Sequence, residues 1–348
     1  MRRLLLRHIQ PLTHVVYPHA STGLINDYRV LTNALQQIGR PTLDFPFHGR
    51  GPRSKRFWLH RATTPDLWVR EVSATVFLEQ IEERWLGRAR TDVFVPNAEW
   101  LRGPCRALLP RIDLVLCKTK YTQTIFDDLG CRTFRTGFTS IDRAREAGRE
   151  ATPDFSHYVS PRPLHVGGST PSKGTCDLLE VWARHPEWPV LTVVARGAAI
   201  ADFRGPCPPN VRLVKEYVAE EHLAELMCDH NVHLCPSESE GFGHTLVEGM
   251  SAAAAILTVG APPMNELVGP NRGVLVPPRS RETLRAGMKF QVSPDALESG
   301  IATLLEASAG ERADMGLNSR RWFEANHMAF MSAVGQIFPG REGLESVT

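Results

Sequence analysis

The chain has 348 residues, more than a single hydrophobic core usually supports, since cores stop growing near about 250 to 300 residues. Its length therefore predicts two domains. Hydrophobic residues make up 42% of the sequence and charged residues 22%, a balance that excludes a largely disordered protein. The seven cysteines are scattered and form no Cys-x-x-Cys pair, which excludes a metal site of that spacing and favours a reducing compartment.

Neither a secretory signal nor a transmembrane helix is predicted. The apolar run near the first residue is broken by Arg7, and no stretch of about 18 apolar residues occurs. We therefore expect a cytoplasmic protein.

The small net charge of +2 conceals an uneven distribution of charge along the chain. Residues 1–155 contain 24 Lys and Arg against 16 Asp and Glu, and the remainder contains 16 against 22. The basic first part suggests an anionic partner, such as a phosphorylated acceptor or the inner face of a membrane, although a solvated basic surface explains the same excess. No nucleic-acid-binding module is recognisable, so nucleic acid is not an expected partner.

Strands alternate with helices along the whole chain, which predicts an α/β fold with parallel sheets. The first part opens with a strand over 13–17, a turn of small residues, and a helix over 26–38 that Gly39 ends. Further elements are predicted as strands at 74–78, 92–95 and 114–117 and a helix at 122–129.

A domain boundary is predicted where this alternation lapses. Residues 143–163 lose apolar periodicity and gain charge and proline, as a surface linker does. The predicted domains are residues 1–155 and 156–318, followed by a helix within 319–348. After the boundary, strands are predicted at 164–166, 190–195, 211–214, 232–234, 255–259 and 273–276, and helices at 177–183, 219–228, 244–253 and 319–338.

The strongest functional signal lies at residues 235–250, CPSESEGFGHTLVEGM. Gly241 and Gly243 bracket one aromatic residue between a predicted strand and an amphipathic helix that begins near His244. Glycines let a backbone approach a ligand closely, and the N-terminus of a helix favours an anion, so the segment predicts a phosphate cradle. Glu240 and Glu248 stand before and within that helix, where they are placed to hold hydroxyl groups. A tight loop followed by an exposed helix is the plainer alternative.

This segment resembles the donor-site signature of retaining GT-B glycosyltransferases, those of family four in particular. The resemblance rests on Pro-Ser, then Glu-Gly-Phe-Gly, with seven residues between two glutamates, and it extends in order over residues 164–280. Upstream, VGGSTPSKG is similar to the family's phosphate loop, and downstream, GVLVPP is similar to its Gly-x-Leu-Val-Pro ending. The resemblance implies two Rossmann-like domains that face each other across a cleft, with the last helix crossing back to the first domain.

The resemblance also implies residue roles. Glu240 would hydrogen-bond the hydroxyl groups of the donor sugar, Glu248 would bind the ribose hydroxyls of the nucleotide, and Lys173 would neutralise the diphosphate that leaves in the reaction. The other implied donor contacts are Gly168, Ser169, Thr170, Gly241, Phe242, Gly243, His244 and Thr245.

Two positions depart from the family's pattern. The family usually has an arginine beside the glycine of the first loop, where this chain has Gly168; candidate replacements are Arg196, after the next predicted strand, and the hydroxyls of Ser169 and Thr170. The family often has a histidine after a central strand of the first domain, where this chain has Glu79. Glu79 is a candidate for binding the acceptor or acting as a base, and an ordinary strand-end acid is the alternative.

Other candidates lie in the predicted first domain. His19 and Gly23, in the first turn, are candidates for approaching the donor phosphate or the acceptor. Asn97 and Glu99 follow a predicted strand, at the sheet edge where ligands bind in open α/β proteins. The cluster Arg50–Arg61 places five cations around two aromatic rings, which suits an anionic acceptor or a membrane surface, or else a solvated loop.

The reaction that the resemblance implies is transfer of a sugar from a nucleoside diphosphate donor, of the UDP or GDP type, to an acceptor hydroxyl with retention of configuration. No cofactor and no metal is expected, because Lys173 and helix dipoles supply the positive charge and no Asp-x-Asp pair occurs. Two alternatives are a nucleotide-sugar epimerase of the same fold and a donor-binding subunit with degraded catalysis.

Overall fold

A computed structural model describes residues 12–18, 22–47 and 72–339 of the chain. The chain divides into two compact units: the first contains residues up to Phe138 together with those from Met328 onward, and the second runs from Thr139 to His327. The boundary predicted from the sequence, between residues 155 and 156, lies later in the chain than the division between Phe138 and Thr139.

Six parallel strands form the sheet of the first unit. They are β1 (Leu12–Pro18), β2 (Thr42–Phe47), β3 (Val72–Leu78), β4 (Thr91–Val95), β5 (Leu114–Cys117) and β6 (Thr133–Arg135). Their order across the sheet is β2-β1-β3-β4-β5-β6, so the direction of strand succession reverses between β1 and β3. β1, β3 and β4 are buried along most of their length because they are runs of apolar and β-branched residues, as suits a sheet covered on both faces.

Three helices accompany this sheet: α1 (Thr22–Gln37), α2 (Gly103–Leu108) and α3 (Lys120–Asp128). Both helices predicted here are confirmed, although each begins earlier than predicted. The early start of α3 has a local cause, because the Oγ1 of Thr119 accepts a hydrogen bond from the N–H of Thr122 at 3.1 Å and so caps the helix.

The second unit also contains a six-stranded parallel sheet. Its strands are β7 (Pro163–Gly168), β8 (Leu191–Ala195), β9 (Val211–Val214), β10 (Val232–Cys235), β11 (Ala255–Val259) and β12 (Gly273–Val276). They lie in the order β12-β11-β10-β7-β8-β9, so the succession reverses between β7 and β10. The fold class predicted from the sequence, two Rossmann-like units with parallel sheets, is confirmed.

Seven helices and one hairpin complete the described part of the chain from residue 139 onward. The helices are α4 (Arg143–Glu146), α5 (Thr175–Trp182), α6 (Glu220–Asp229), α7 (His244–Ser251), α8 (Met264–Leu267), α9 (Pro294–Glu306) and α10 (Ala309–Ile337). The antiparallel hairpin consists of β13 (Ser280–Leu284) and β14 (Gly287–Gln291). Trp182, Val193, Leu257 and Ile301 are fully buried together in the core of this unit, where α5 and α9 pack on the sheet.

The predicted surface linker over 143–163 is wrong at its start. Arg143 and Ala144 lie in α4 and are buried in the second unit. A charged side chain at a buried position removes the apolar periodicity on which the sequence prediction depended.

The last helix begins well before its predicted start at residue 319. Ser308 and Glu311 form a capping box: the N–H of Ser308 donates to the Glu311 carboxylate at 2.7 Å, and the N–H of Glu311 donates to the Ser308 hydroxyl at 3.2 Å. This reciprocal pair starts α10 at Ala309.

Candidate functional site

The two motif loops of the second unit leave neighbouring strands. β7 and β10 are hydrogen-bonded in parallel, with Pro163 opposite Val232 and Leu164 opposite His233. The strand order reverses between them, and in open α/β sheets ligands bind at such a point, beyond the carboxyl ends of the strands. The loops over 168–174 and 236–243 both lie at this edge of the sheet.

The loop after β7 lies close to its neighbour because of one glycine. Residues 168–170 are exposed, a 3₁₀ turn over Pro171–Lys173 follows, and Gly174 has a φ of +72°. A side chain at Gly174 would place its Cβ 2.6 Å from the carbonyl oxygen of Pro236 in the other loop. Glycine at this position therefore permits both the left-handed backbone and the close approach of the two loops.

Lys173 and Glu240, predicted separately, meet between these loops. The Nζ of Lys173 donates a hydrogen bond to the Oε1 of Glu240, and the side chains are 20% and 9% exposed. Burial alone would lower the pKa of Lys173, but the charge of Glu240 and this hydrogen bond outweigh burial and raise the pKa above its usual value. Lys173 is therefore a cation at neutral pH, fixed beside a carboxylate.

α7 begins directly after the glycine loop. Gly243 precedes it with a φ of +109°, and its carbonyl oxygen accepts hydrogen bonds from the N–H groups of Leu246 and Val247. No acidic residue occupies the first turn of α7, so no carboxylate there offsets the positive end of the helix dipole. The ring of Phe242 is buried and packs edge-on against His244 with 5.5 Å between centroids. The half-buried residues among the predicted donor contacts here are Gly241, His244 and Thr245.

Glu248 is buried and held by residues that precede α4 or lie within it. Ser140 donates from its Oγ to Oε1 of Glu248 at 3.0 Å, and Arg143 donates from Nε and Nη2 to Oε2 at 3.2 and 2.9 Å. The Nδ1 of His244 lies 2.8 Å from the Oγ of Ser140. His244 and Glu248 thus share a face of α7, as their spacing predicts, and Ser140 contacts both. Sequence reasoning missed Ser140 and Arg143, because their segment reads as a linker.

Arg196 adjoins the first loop through its main chain. Its N–H donates to the carbonyl oxygen of Gly168 at 2.8 Å, while its guanidinium lies 5.4 Å from the ring centre of Tyr217. Tyr217 is 69% exposed, so the arginine side chain lies on the surface over that ring. The role of Arg196 as a replacement for the family's loop arginine stays a prediction.

The hairpin of β13 and β14, which was not predicted, supports the loop after β10. The N–H of Phe290 donates to the carbonyl oxygen of Glu238 at 2.7 Å, and the Nζ of Lys289 pairs with the Glu238 carboxylate at 3.1 Å. On its other side, the N–H of Glu238 donates to the carbonyl oxygen of Ser172 at 2.8 Å. Glu238 therefore links the hairpin, the loop after β10 and the loop after β7.

A buried polar network lies at the carboxyl ends of three adjacent strands of the first unit, β3, β4 and β5. Glu79 accepts a hydrogen bond from the Nδ2 of Asn97 at 3.2 Å, and Asn97 accepts one on its Oδ1 from the Nζ of Lys118 at 2.8 Å. Lys118 also pairs with Asp27 of α1 at 2.5 Å and lies 4.9 Å from the ring centre of Phe138. Lys118 and Asp27 were not predicted from the sequence, although Glu79 and Asn97 were.

Glu79 itself is unusual in its backbone and its ionisation. Its φ is +60°, a left-handed conformation that residues with side chains rarely adopt and that is enriched at functional sites. Burial raises the pKa of its carboxyl group above the usual value, against the opposing effects of the Asn97 hydrogen bond and the Lys118 charge. A raised pKa suits a carboxyl group that exchanges protons.

The structure describes two other predicted residues of the first unit, Glu99 and Gly23, and the rest lie outside the described part. Glu99 is buried in the 3₁₀ turn Ala98–Trp100 that follows β4. Gly23, near the start of α1, is exposed, and a Cβ built on it would have no atom within 4 Å. His19 and the cluster Arg50–Arg61 lie outside the described residues.

Two searches of the described residues concern metals and membranes. Within residues 12–18, 22–47 and 72–339, no three His, Cys, Asp or Glu side chains are grouped so as to hold a metal ion. No helix of this same part of the chain has the length and apolar character needed to cross a bilayer.

The sequence of the second unit matches a known protein family. Residues 160–291 match the profile of the family described as glycosyl transferases group 1. These residues make up the greater part of the second unit. No curated protein matched the chain over its sequence.

Solved structures of GT-B glycosyltransferases share the fold of this chain over most of its length. Sucrose-phosphate synthase from Thermosynechococcus elongatus superposes with a TM-score of 0.68 at 16% identity, over 97% of this chain and 100% of that one. WaaG, a glycosyltransferase involved in lipopolysaccharide biosynthesis, superposes with a TM-score of 0.60 at 15% identity, over 94% of this chain and 100% of that one. Anabaena HepE, solved in complex with UDP, superposes with a TM-score of 0.58 at 14% identity, over 97% of this chain and 100% of that one. The chain therefore has the α/β fold of GT-B glycosyltransferases, and the residues that match the family profile lie in its second unit.

Proposed function

We propose that the chain transfers a sugar from a nucleoside diphosphate sugar to the hydroxyl group of an acceptor, with retention of configuration at the anomeric carbon. The observation that carries the proposal is the meeting of Lys173 and Glu240 beyond the carboxyl ends of β7 and β10, beside the start of α7. A cation, a carboxylate and the positive end of a helix at one place suit the diphosphate and the hydroxyl groups of such a donor.

Each part of the donor has a proposed partner in the second unit. Lys173 and the N–H groups at the start of α7 bind the diphosphate, and the backbone of residues 241–243 lies against the sugar and its phosphate. Glu240 accepts hydrogen bonds from the sugar hydroxyls, and Glu248 accepts them from the ribose. Gly168, Ser169 and Thr170 are exposed at the same sheet edge, where they line the diphosphate.

The proposed reaction balances without a dedicated base. The bond between the anomeric carbon and the diphosphate oxygen breaks, and its electron pair leaves with the diphosphate. The acceptor oxygen bonds to the anomeric carbon on the face that the leaving group vacates, and the acceptor proton passes to the departing diphosphate. Lys173 and the start of α7 stabilise the negative charge that grows on the leaving group, so the proposal requires no metal ion.

The nucleotide and the acceptor are proposed from different observations. A UDP or GDP donor is proposed, and UDP has the additional support that Anabaena HepE was solved with it. For the acceptor, the basic excess of residues 1–155 supports an anionic molecule, or one presented at the cytoplasmic face of a membrane. Glu79 is the proposed contact for the acceptor hydroxyl, held by Asn97 in the network of the first unit.

One observation favours a second candidate function. Gly168 stands where the family usually has an arginine, and Glu79 stands where it often has a histidine. A chain that lacks both side chains would suit a subunit that binds the donor but does not turn it over.

A thermal-shift panel followed by a turnover assay tests the proposal. We expect UDP or GDP, with its common sugars, to raise the unfolding midpoint, because a ligand that binds only the folded state stabilises it by RT ln(1 + [L]/Kd). Release of the nucleoside diphosphate on addition of acceptor mixtures then shows transfer. Nucleotide binding without any release supports the donor-binding subunit, release of a free epimerised sugar supports an epimerase, and no shift with UDP, GDP, ADP or dTDP refutes the proposal.

A pair of lysine variants makes this assay specific to the site. Removing one preorganised charge donor typically lowers kcat by about 10² to 10³-fold, which is the expected effect of Lys173→Met. Lys215→Met removes an exposed lysine that lies on the surface after β9, and we expect it to leave kcat unchanged.

A further inference from the structure

Arg143 is a charged residue at a buried position. It is 1% exposed, and its Nη1 pairs with Glu146 at 2.6 Å and with Glu220 at 2.8 Å. Its Nε and Nη2 donate to the Oε2 of Glu248, while its main-chain N–H donates to the Oγ of Ser251 at 2.9 Å. Two ends of Arg143, the guanidinium and the main chain, therefore bind two residues of α7.

The guanidinium supplies the positive charge that a buried Glu248 needs. Burial alone would lower the pKa of Arg143, but the charge of Glu248 and the hydrogen bonds to Glu220 and Glu248 raise it, so the arginine is charged in the folded protein. Three carboxylates surround this one cation, which explains why an arginine with several donors occupies the position.

The same contacts fix the direction of the Glu248 carboxylate. Arg143 holds Oε2 from two nitrogens of one rigid plane, and Ser140 donates to Oε1. Ser140 is also in contact with His244, which lies one turn before Glu248 on α7. Rotation of the carboxylate would break three hydrogen bonds, so its two oxygen atoms face fixed directions.

We infer that Arg143 and Ser140 are positioning residues for nucleotide recognition, which act through Glu248 by holding its carboxylate in the direction that accepts hydrogen bonds from ribose hydroxyls. This inference rests on the proposed function, because it takes Glu248 as the ribose ligand. Both residues then contribute to the affinity for a nucleotide only when the nucleotide carries ribose hydroxyls.

Calorimetric titration with matched nucleotides tests the inference. The probes are UDP and 2′,3′-dideoxy-UDP, with GDP and its dideoxy analogue in parallel. Hydrogen bonds to a charged group typically contribute about 1.5 to 3 kcal/mol, so the wild-type protein should bind the ribonucleotide roughly 10 to 150-fold more tightly than its dideoxy analogue. Arg143→Lys keeps the charge but not the planar pair of donors, and it should weaken ribonucleotide binding by about tenfold while changing dideoxynucleotide binding by less than about twofold.

Two further variants serve as control and as second test. Glu220→Gln removes another partner of Arg143 without touching Glu248, and it should leave the preference for the ribonucleotide unchanged. Ser140→Ala removes the hydrogen bond to Oε1 of Glu248 together with the contact to His244, and it tests the same role if Arg143→Lys does not fold. It should weaken ribonucleotide binding by about threefold, because the two Arg143 hydrogen bonds to the carboxylate remain, and it should leave binding of the dideoxy analogue unchanged.

The outcomes separate the inference from the proposed function. An equal loss for the ribonucleotide and its dideoxy analogue, or no loss for either, overturns the positioning role while nucleotide binding itself stands. An additive loss in the Arg143→Lys, Glu248→Gln double variant also overturns it, because Arg143 would then act without Glu248. Failure of the wild-type protein to bind any of the four nucleotides overturns the proposed function and the inference with it.

Discussion

The contact between Gly174 and Pro236 gives a prediction whose size follows from the structure. Gly174→Ala introduces two costs. A Cβ in the left-handed conformation at φ +72° costs about 1 to 2 kcal/mol, and a Cβ 2.6 Å from a backbone oxygen forces a shift that costs about 1 to 3 kcal/mol more. Gly148→Ala is the matched control, because Gly148 has φ +62° but no atom within 4 Å of the added Cβ, and it should show only the first cost.

Urea unfolding of the two variants measures this difference, and nucleotide titration measures its consequence. We expect Gly174→Ala to lower the free energy of unfolding by about 1 to 3 kcal/mol more than Gly148→Ala does. Because the shift moves the loops after β7 and β10 apart, Lys173 and Glu240 should no longer meet, and affinity for UDP or GDP should fall by roughly tenfold in Gly174→Ala alone. Equal destabilisation of the two variants, with unchanged nucleotide affinity, would refute the reasoning that glycine holds the two loops together.

Three further predictions concern buried polar groups. Lys118→Met removes the Lys118 charge from the buried Asp27 carboxylate and should lower the free energy of unfolding by about 3 to 5 kcal/mol. Lys215→Met, at an exposed position after β9, should lower it by no more than about 0.5 kcal/mol, and equal effects of the two variants in urea unfolding would contradict the network. Burial lowers the pKa of His165 from 6.5 to about 4. Between these pH values the unfolded chain binds more protons than the folded protein, so the free energy of unfolding falls as the pH is lowered through this window. In His165→Gln the number of protons taken up on unfolding near pH 5 should decrease by about one, which potentiometry or the pH dependence of unfolding measures. Asn97→Leu removes a hydrogen bond that favours the ionised form of Glu79, so the pKa of that carboxyl should rise further, which a carbon-13 NMR titration checks and an unchanged midpoint would contradict.

Most of the second unit could be predicted from the sequence because its signals are local. The strand, the glycine loop and the helix around residues 235–250 are consecutive, and their chemistry depends on neighbours in the chain. The capping box of Ser308 and Glu311 is equally local, and a reading of that pattern would have placed the start of α10 correctly.

Contacts that depend on strand order could not be predicted in the same way. Glu79 and Asn97 stood out because each follows a predicted strand, but their hydrogen bond depends on β3 and β4 being adjacent. Lys118 lies at the corresponding place after β5, and nothing in its local sequence distinguishes it from an exposed lysine. Its identification required the sheet.

Arg143 and the hairpin of β13 and β14 could not be predicted for a different reason. The buried Arg143 is surrounded by three carboxylates, two of them from distant parts of the chain, whereas charge in a sequence normally indicates the surface. The hairpin turns at Arg285, whose φ is +57°, a conformation that sequence patterns assign to glycine or asparagine. The burial of Arg143 and the turn at Arg285 therefore both differ from what their local sequences indicate.

The ends of the second unit lie next to each other, since the Oγ1 of Thr139 is 3.4 Å from the Nδ1 of His327. A domain with adjoining ends can be removed, inserted into another chain or circularly permuted with little disturbance of its core. Asp142, three residues from the first end, accepts hydrogen bonds from both outer nitrogens of Arg320 at 2.7 and 2.9 Å, so an ion pair also connects the two ends. Residues 139–327 therefore form a unit that recombination or protein engineering can pair with a different first unit, and such a transfer would move all the residues of the proposed donor site together.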